Sequence, residues 1–313
     1  VKYFFSILLF FCSSIAFTQI TYQNVFVDYD SAWQYKNLKI IPIRPKNNPN
    51  GLAPMLIDNP EIISLSQALS QGLATISERG TASTENVHWL RINNQSDKSI
   101  FVGSGEVIGG GRQDRMVMKD TILSPTKHDQ YIPVMCVEEG RWAEKEKKFT
   151  YDNFANNHLR KVLDVGKNQV LIWNEIDNQL LSGDIKSNTM AYLARKMDKK
   201  SVDLGDDYFK FFLQKFKNSD STIVGFVCVS GTKIIGSDIF ANRSLFFSQL
   251  EPLLRGYIDE AVFFGGTNSM LPDDKIKEYM DKLLTDERSQ QEFVKKNGKI
   301  FRQGGRVIHI TTF

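Results

Sequence analysis

Apolar residues change their spacing part-way along this chain, and that change limits the fold more than any motif does. Up to residue 138 the apolar runs are short or alternate with polar positions. NLKIIPIR (37–44), VHWLRINN (87–94), SIFV (99–102), RMVM (115–118) and YIPVMCVE (131–138) have this form. A strand sends successive side chains to opposite faces, so these runs predict β-strands. Asn94-Gln95-Ser96-Asp97, between two of them, reads as a hairpin connection. One early helix is expected in PEIISLSQAL, opened by Pro60, with Ile62, Leu65 and Leu69 on one face. From residue 168 the spacing is helical, in NQVLIWNEIDNQLL (168–181), NTMAYLARK (188–196) and DDYFKFFLQKF (206–216). Phe209, Phe212 and Phe216 recur at helical spacing, which predicts a buried stripe. NRSLFFSQLEPLLRGYIDEAVF predicts a long helix bent at Pro252, and PDDKIKEYMDKLL a helix opened by Pro272.

Strand patterns return near the end. STIVGFVCVSGTKIIGSDIF (221–240) reads as a hairpin turned at Ser230-Gly231-Thr232, and RVIHITTF closes the chain as a strand. A final strand after helices goes back to a sheet. The expected fold class is therefore α+β, with a mainly antiparallel β-rich part (about 19–142) and a helix-rich part (143–313) in one domain sharing one core. A chain of 313 residues, 42% hydrophobic, can bury such a core. RWAEKEKKFTYDN (141–153), the most charged segment, is expected as an exposed connection between the two lobes.

The N-terminus reads as a signal peptide over residues 1–18. Lys2 supplies the positive charge, Tyr3 to Phe11 the apolar region, and Ala16-Phe17-Thr18 a cleavage site before Gln19. The apolar run is shorter than the ~20 residues that span a bilayer. The expectation is export to the periplasm or beyond the cell, with no stable membrane anchor. Lys and Arg number 39 against 36 Asp and Glu, so there is no basic field to favour a nucleic-acid partner. Beyond Cys12, Cys136 and Cys228 sit in apolar runs and are expected as buried thiols rather than a bridge. The histidines at 88, 128, 158 and 309 lack metal-ligand spacing, so zinc is not expected. An oxygen-ligand metal on Glu106, Asp114 and Glu138 stays open, though acids alone are unspecific; no metal residue is assigned and any cofactor is open. Asp238, Asp259 and Glu260 read as cap or surface groups. Lys295, Lys296, Lys299, Arg302 and Arg306 read as a solvated face.

Two stretches break the apolar pattern. GSGEVIGGGRQDR (103–115) carries glycines at 103, 105, 109, 110 and 111, then four polar residues in a row. The glycines permit either a turn between strands or a nest of backbone N–H groups facing an anion. Neither a Walker loop nor a dinucleotide fingerprint is present. Along a strand, Gln113, Arg115 and Val117 share one face, and Arg112, Asp114 and Met116 the other. Whichever face turns inward carries a charge that needs a partner of opposite sign. Glu106 and Glu138 are the candidates. CVEEGRW (136–142) adds Arg141, a fork suited to carboxylate or phosphate, and Trp142, a stacking face. Two readings stay open. In one, Arg112, Gln113, Asp114, Arg115, Arg141 and Trp142 bind a small anionic ligand, with Glu106 or Glu138 as general acid or base. In the other, the same groups form a stabilising network in a non-catalytic binding or structural module.

Gly105, Glu106, Gly110, Gly111, Gln113 and Arg115, followed by Cys136, Val137, Glu138, Gly140, Arg141 and Trp142, resemble the ARG and Rhodanese-Phosphatase-superfamily-associated domain family. Arg112 stands where many members have lysine, which keeps the charge. The resemblance covers most of the chain. It implies an association with ADP-ribosylglycohydrolases. That implies NAD-derived ligands, and for the first reading above the ligand is then an ADP-ribose-like nucleotide or a sugar phosphate, bound with or without hydrolysis.

Overall fold

A computed structural model describes residues 19–46, 62–80, 86–143, 147–219, 222–266, 268 and 270–313. The expected leader (1–18) and Pro60 lie outside them. Among the described residues, no helix is long and apolar enough to cross a membrane.

The chain begins with β1 (Val25–Val27), β2 (Trp33–Tyr35), β3 (Leu38–Pro45), β4 (Ile62–Ser64), α1 (Leu65–Ser70), β5 (Ala74–Glu78), β6 (Trp89–Asn94) and β7 (Ser99–Val102). It continues with β8 (Glu106–Gly111), β9 (Arg115–Val117), β10 (Thr121–Leu123), β11 (Gln130–Cys136) and β12 (Lys147–Phe154). Next come α2 (Asn157–Gly166), α3 (Gln169–Ser182), a 3-10 segment (Tyr192–Met197), α4 (Lys199–Asn218), β13 (Gly225–Ser230) and β14 (Lys233–Phe240). The last elements are α5 (Arg243–Phe263), α6 (Asp273–Leu284), α7 (Glu287–Asn297), β15 (Gly298–Gln303) and β16 (Arg306–Thr312).

Among the described residues, the strands form three sheets. A seven-stranded sheet runs β1-β3-β13-β14-β16-β15, with β2 also on β3. A six-stranded sheet runs β12-β8-β9-β11-β6-β5, and a three-stranded sheet β10-β7-β4. All pairs are antiparallel except β4 with β7. The fold is α+β, strand-rich first and helical later.

The two halves interlock. β3 from the first half pairs along its length with β13 from the second, Ile41 opposite Val227. β12 pairs with β8. The charged segment is thus no loose connection: from Lys147 it is a sheet strand. Phe149 and Phe154 are buried while Lys147, Lys148 and Thr150 stay exposed, so its charges sit on the wet side of a half-buried strand. The Asn94–Asp97 turn also differs from expectation. β6 pairs with β5 and β11, whereas β7 pairs with β10 and β4, so this turn passes the chain between sheets. Asn94 fixes it, donating to the carbonyls of Lys98 (2.7 Å) and Ser124 (3.0 Å).

The early helix is shorter than its pattern. Ser64 and Gln67 form a reciprocal capping box that starts the helix at Leu65, leaving Ile62–Ser64 as a strand. The helix expected over 188–196 is only the 3-10 segment Tyr192–Met197.

The aromatic stripe packs as expected. Phe212 and Phe216 are buried with Phe226, Phe240, Phe246 and Tyr257, and this cluster also takes Leu38, Ile40 and Phe101 from the first half. Burying each such side chain contributes about 1.5–3 kcal/mol, so the shared cluster couples the halves strongly. Cys136 and Cys228 are buried and unbridged.

Candidate functional site

The glycine stretch holds a turn at Ser104–Gly105, which joins β7 to β8, and then runs on as the strand β8 and its exit. Gly110 and Gly111 have φ of +109° and +52°. A Cβ at Gly110 would strike the Lys148 carbonyl, and one at Gly111 the Phe149 ring, so both must be glycine for β12 to lie this close. The chain then bends through Arg112–Asp114 and returns as β9, antiparallel to β11. The end of β11 delivers Glu138 and Arg141 to the same place, which brings the two motifs together.

Arg141 is the hub. Its Nε donates to Glu138 Oε2 at 2.7 Å, Nη1 to the Gly111 carbonyl at 3.0 Å, and Nη2 to the Gly110 carbonyl at 3.0 Å and Asp114 Oδ1 at 2.9 Å. Glu138 also accepts from the Asp114 N–H (3.2 Å) and the Thr189 hydroxyl (2.7 Å). The Gln113 amide donates to the Glu138 carbonyl at 2.9 Å. Arg115 is fully buried, 3.6 Å from the Glu78 carboxylate, which also accepts the Arg112 N–H at 2.8 Å. The Arg112 guanidinium donates to the Ala143 carbonyl at 2.6 Å and lies 5.9 Å over the half-exposed Trp142 ring.

Burial alone would raise the Glu138 carboxyl, but Arg141, Thr189 and the Asp114 N–H outweigh it and hold Glu138 below the usual range. Asp114 goes the other way. Its burial and the neighbouring Glu138 charge exceed the help from the Gly110 N–H and Arg141, so it is raised. One arginine shared by two acids explains the split, with Glu138 holding the larger part of it.

Glu106 is not in this cluster. It sits at the opposite end of β8, fully buried, accepting from the Tyr151 hydroxyl at 3.2 Å. Burial pushes it up to about 8, the Gly103 N–H and Tyr151 offsetting only part of the effect. At neutral pH it is therefore protonated when folded and ionised when unfolded. Such a group stabilises fully below about pH 4.5, and its contribution is lost as pH rises through about 8. Glu106→Gln is expected to remove this loss. Denaturant midpoints at pH 5 and pH 8.5 check it: the variant should gain on the parent as pH rises, and an unchanged difference would refute the assignment.

The other end of the glycine stretch abuts a second charged network that the sequence did not reveal. Gly105 has φ +94°, and a Cβ there would lie 2.8 Å from Cγ of Arg160, which crosses it. Arg160 grips Asp238 with both terminal nitrogens, at 3.1 and 2.9 Å. Asp238 also accepts from the Tyr257 hydroxyl (2.7 Å) and pairs with His309 Nε2 (2.9 Å). The other imidazole nitrogen, Nδ1, meets Asp120 at 2.7 Å, and Asp120 in turn accepts the Ser104 N–H at 2.7 Å. Asp238, His309 and Arg160 are at most 1% exposed. Asp238 is thus no surface group. Lys299 is no solvated one either: it is half-buried, 3.2 Å from Asp164, and donates to the Ser104 hydroxyl at 2.6 Å. Burial would lower the imidazole, but Asp120 and Asp238 override it and raise His309 to about 9. Both aspartates are held below their ordinary range despite burial, Asp120 by His309, Asp238 by Arg160 and then His309.

An open space lies elsewhere. A cleft of about 400 Å³ sits between α4, α5, the 3-10 segment and β12. Val202, Ile258, Val262 and Phe263 supply apolar walls, and Arg195, Lys196 and Arg255 supply cations. Arg195 is buried, bound to Gln179 and to Asp259 (2.7 Å), with its guanidinium 4.0 Å over Phe263. Asp259 also accepts from the Tyr192 hydroxyl at 2.9 Å. Lys196 pairs with Asp152, and Arg255 with Asp206 at 2.8 Å while stacking 3.8 Å over Phe209. Asp259 and Glu260 are therefore more than cap or surface groups. Glu260 is buried, accepts the His158 N–H at 2.9 Å, and is raised to about 7, chiefly by burial.

The Arg141 network holds one wall of this cleft. Glu138 bridges Ala191 through the backbone and takes the Thr189 hydroxyl. The Gly140 N–H donates to the Thr189 carbonyl (2.9 Å) and the Tyr192 N–H to the Val137 carbonyl (2.8 Å). Tyr192 leads directly into Leu193, Arg195 and Lys196, which line the cleft. Among the described residues, no group of three or more His, Cys, Asp or Glu is placed to hold a metal ion.

No curated protein and no solved structure matches the chain. The family model of the ARG and Rhodanese-Phosphatase-superfamily-associated Protein domain matches residues 26–313, a span that includes both motifs, both charged networks and the cleft. By that match over nearly its whole length, the chain belongs to this family.

Proposed function

We propose that the protein binds an anionic small molecule in the cleft, and that the two family motifs brace the cleft wall. The observation that carries this reading is the pairing of apolar walls with two recruitable cations. The volume, about 400 Å³, falls in the ~300–1,000 Å³ range of small-molecule sites. The side chains of Lys196 and Arg255 are 51% and 39% exposed, and that of Asp206 is 41% exposed. Exposed ion pairs contribute only about 0–1 kcal/mol, so a phosphate or carboxylate can draw Arg255 from Asp206 at little cost, while Lys196 keeps its partner Asp152, which is 18% exposed, as it meets the anion. Arg141 differs: its donors already serve Glu138, Asp114 and two carbonyls. An ADP-ribose-like nucleotide or a sugar phosphate suits the cleft in size and charge. Glu138, held ionised, is a poor proton donor at neutral pH. The proposal is accordingly binding, without turnover. Export remains part of it, resting on the apolar leader Tyr3–Phe11.

A second reading seats the ligand on Trp142, which is half-exposed beside Arg112. Calorimetric titration with ADP-ribose and with ribose 5-phosphate separates the two. The Lys196→Ala/Arg255→Ala double variant is expected to bind at least tenfold more weakly with a near-parental melting curve. Trp142→Ala is expected to bind normally. Loss in Trp142→Ala with an unaffected double variant favours the second reading, and no saturable binding by the parent protein ends both.

A further inference from the structure

A second concavity, about 330 Å³, lies away from the cleft, and its walls include two sheet edges. Among the described residues, β15 ends the seven-stranded sheet and β10 ends the three-stranded one. Thr121 and Ile122 of β10 line one side, and Phe301, Arg302 and Gln303 of β15 the other. A terminal strand pairs with a neighbour on one side only, which leaves its outer backbone groups to bond elsewhere.

The lining has a definite character. Trp89 and Tyr131 line the groove with Phe301. Trp89 stands opposite Pro133, and Tyr131 opposite Arg91, so by the two-residue period Trp89, Arg91 and Tyr131 share a sheet face. Arg79 stacks 4.8 Å over the Tyr131 ring. Lys119 and Arg302 line the groove as well. Against these four cations are Asp129, 3.4 Å from Arg91, and Glu287, 3.4 Å from Arg302. Asp120, which also lines the groove, is engaged by His309. The local charge is thus positive although the whole chain is nearly neutral.

We infer that this groove is a docking site for an extended acidic peptide, which adds as a strand to the outer edge of β15 with alternate side chains against Trp89, Tyr131 and Phe301. β15 is favoured over β10 because it offers six residues against three. Strand addition takes affinity from main-chain bonds and selectivity from alternate side chains. The cations select carboxylates on the partner. A nucleic acid or an acidic glycan also suits aromatics and cations, but neither uses a sheet edge.

The test is fluorescence anisotropy with a short fluorescein-labelled peptide of alternating glutamate and valine, on the full chain. Saturable binding is expected. It should weaken at least tenfold in Lys119→Glu/Arg302→Glu and for the same peptide N-methylated at alternate residues, which cannot form the ladder. The alternating lysine–valine peptide should not bind. A thermal melt of the double variant keeps a folding defect from passing as lost binding, and Lys119→Glu alone, at an exposed residue, provides a second variant. Absent binding at millimolar peptide overturns the inference. Equal binding of the N-methylated peptide does so too, as does a thymidine oligonucleotide or heparin that binds more tightly and loses affinity in the same variant.

Discussion

Arg160→Met is expected to destabilise the protein by about 3–5 kcal/mol, the range for removing one partner of a buried charge pair. The substitution leaves Asp238 sealed in the interior after losing both guanidinium bonds, with only His309 and Tyr257 to meet it. Arg160 also donates to Thr311 (2.9 Å) and Asn157 (3.1 Å), so the loss spreads over α2, β14 and β16. The same network sets a pH dependence. His309 is raised from 6.5 to about 9 in the fold. Its contribution is complete below about pH 6.5 and is lost as pH rises through about 9. Its full size is on the order of 3 kcal/mol. Glu106 contributes a fall over an overlapping lower window, so the histidine is isolated by difference. His309→Gln should lie well below the parent at pH 6 and approach it at pH 9.5. Urea midpoints at both values measure this. A constant gap between parent and His309→Gln would show that the imidazole is not held charged, and a parental midpoint for Arg160→Met would show that the pair carries no stability.

How much of this was legible in the sequence depends on which residues carried a signal. β3, β6, β7, β9, β11 and β16 appear as apolar alternation, and α3 to α6 as helical spacing, because burial imposes those periods. β8 escaped because three of its six residues are glycine and show no period, although its backbone pairs on both sides. β12 and β15 escaped because the lysine, arginine and aspartate among their residues interrupt the apolar period. α2 was readable after all: Asn156 caps it, and Leu159 and Leu163 lie one helical turn apart. The convergence of the two motifs followed from a physical demand, since charges beside apolar strands need partners. The same demand applied to Asp238 and His309, each inside an apolar strand, but their partners are 71 and 189 positions from His309 and no local spacing links them. The cleft left no trace, because its cations and apolar walls come from separate segments that only the packing of α4 and α5 brings together.

Arg141→Ala carries the second large effect. The side chain is 18% exposed, so the full penalty for a buried pair is discounted, and a loss of about 2–4 kcal/mol is expected. Its removal leaves Glu138 and Asp114 as two carboxylates with the cation between them gone, and strips the bonds from the Gly110 and Gly111 carbonyls. Arg141→Lys keeps a charge but not the fork, so it should recover only part of the loss. The pH signature differs in sign from that of His309. Glu138 is held below 4.5, so its contribution is present above that value and is lost as pH falls through the lowered one. The gap between parent and Arg141→Ala should therefore narrow on acidification. The variant also tests the link from motif to cleft. With Glu138 unanchored, its bonds to Thr189 and Ala191 weaken, and the segment leading to Arg195 and Lys196 loses its support. Hydrogen exchange should speed up over residues 187–197 while the seven-stranded sheet stays protected. If exchange there is unchanged although the protein melts earlier, the motif stabilises the fold but does not brace the cleft.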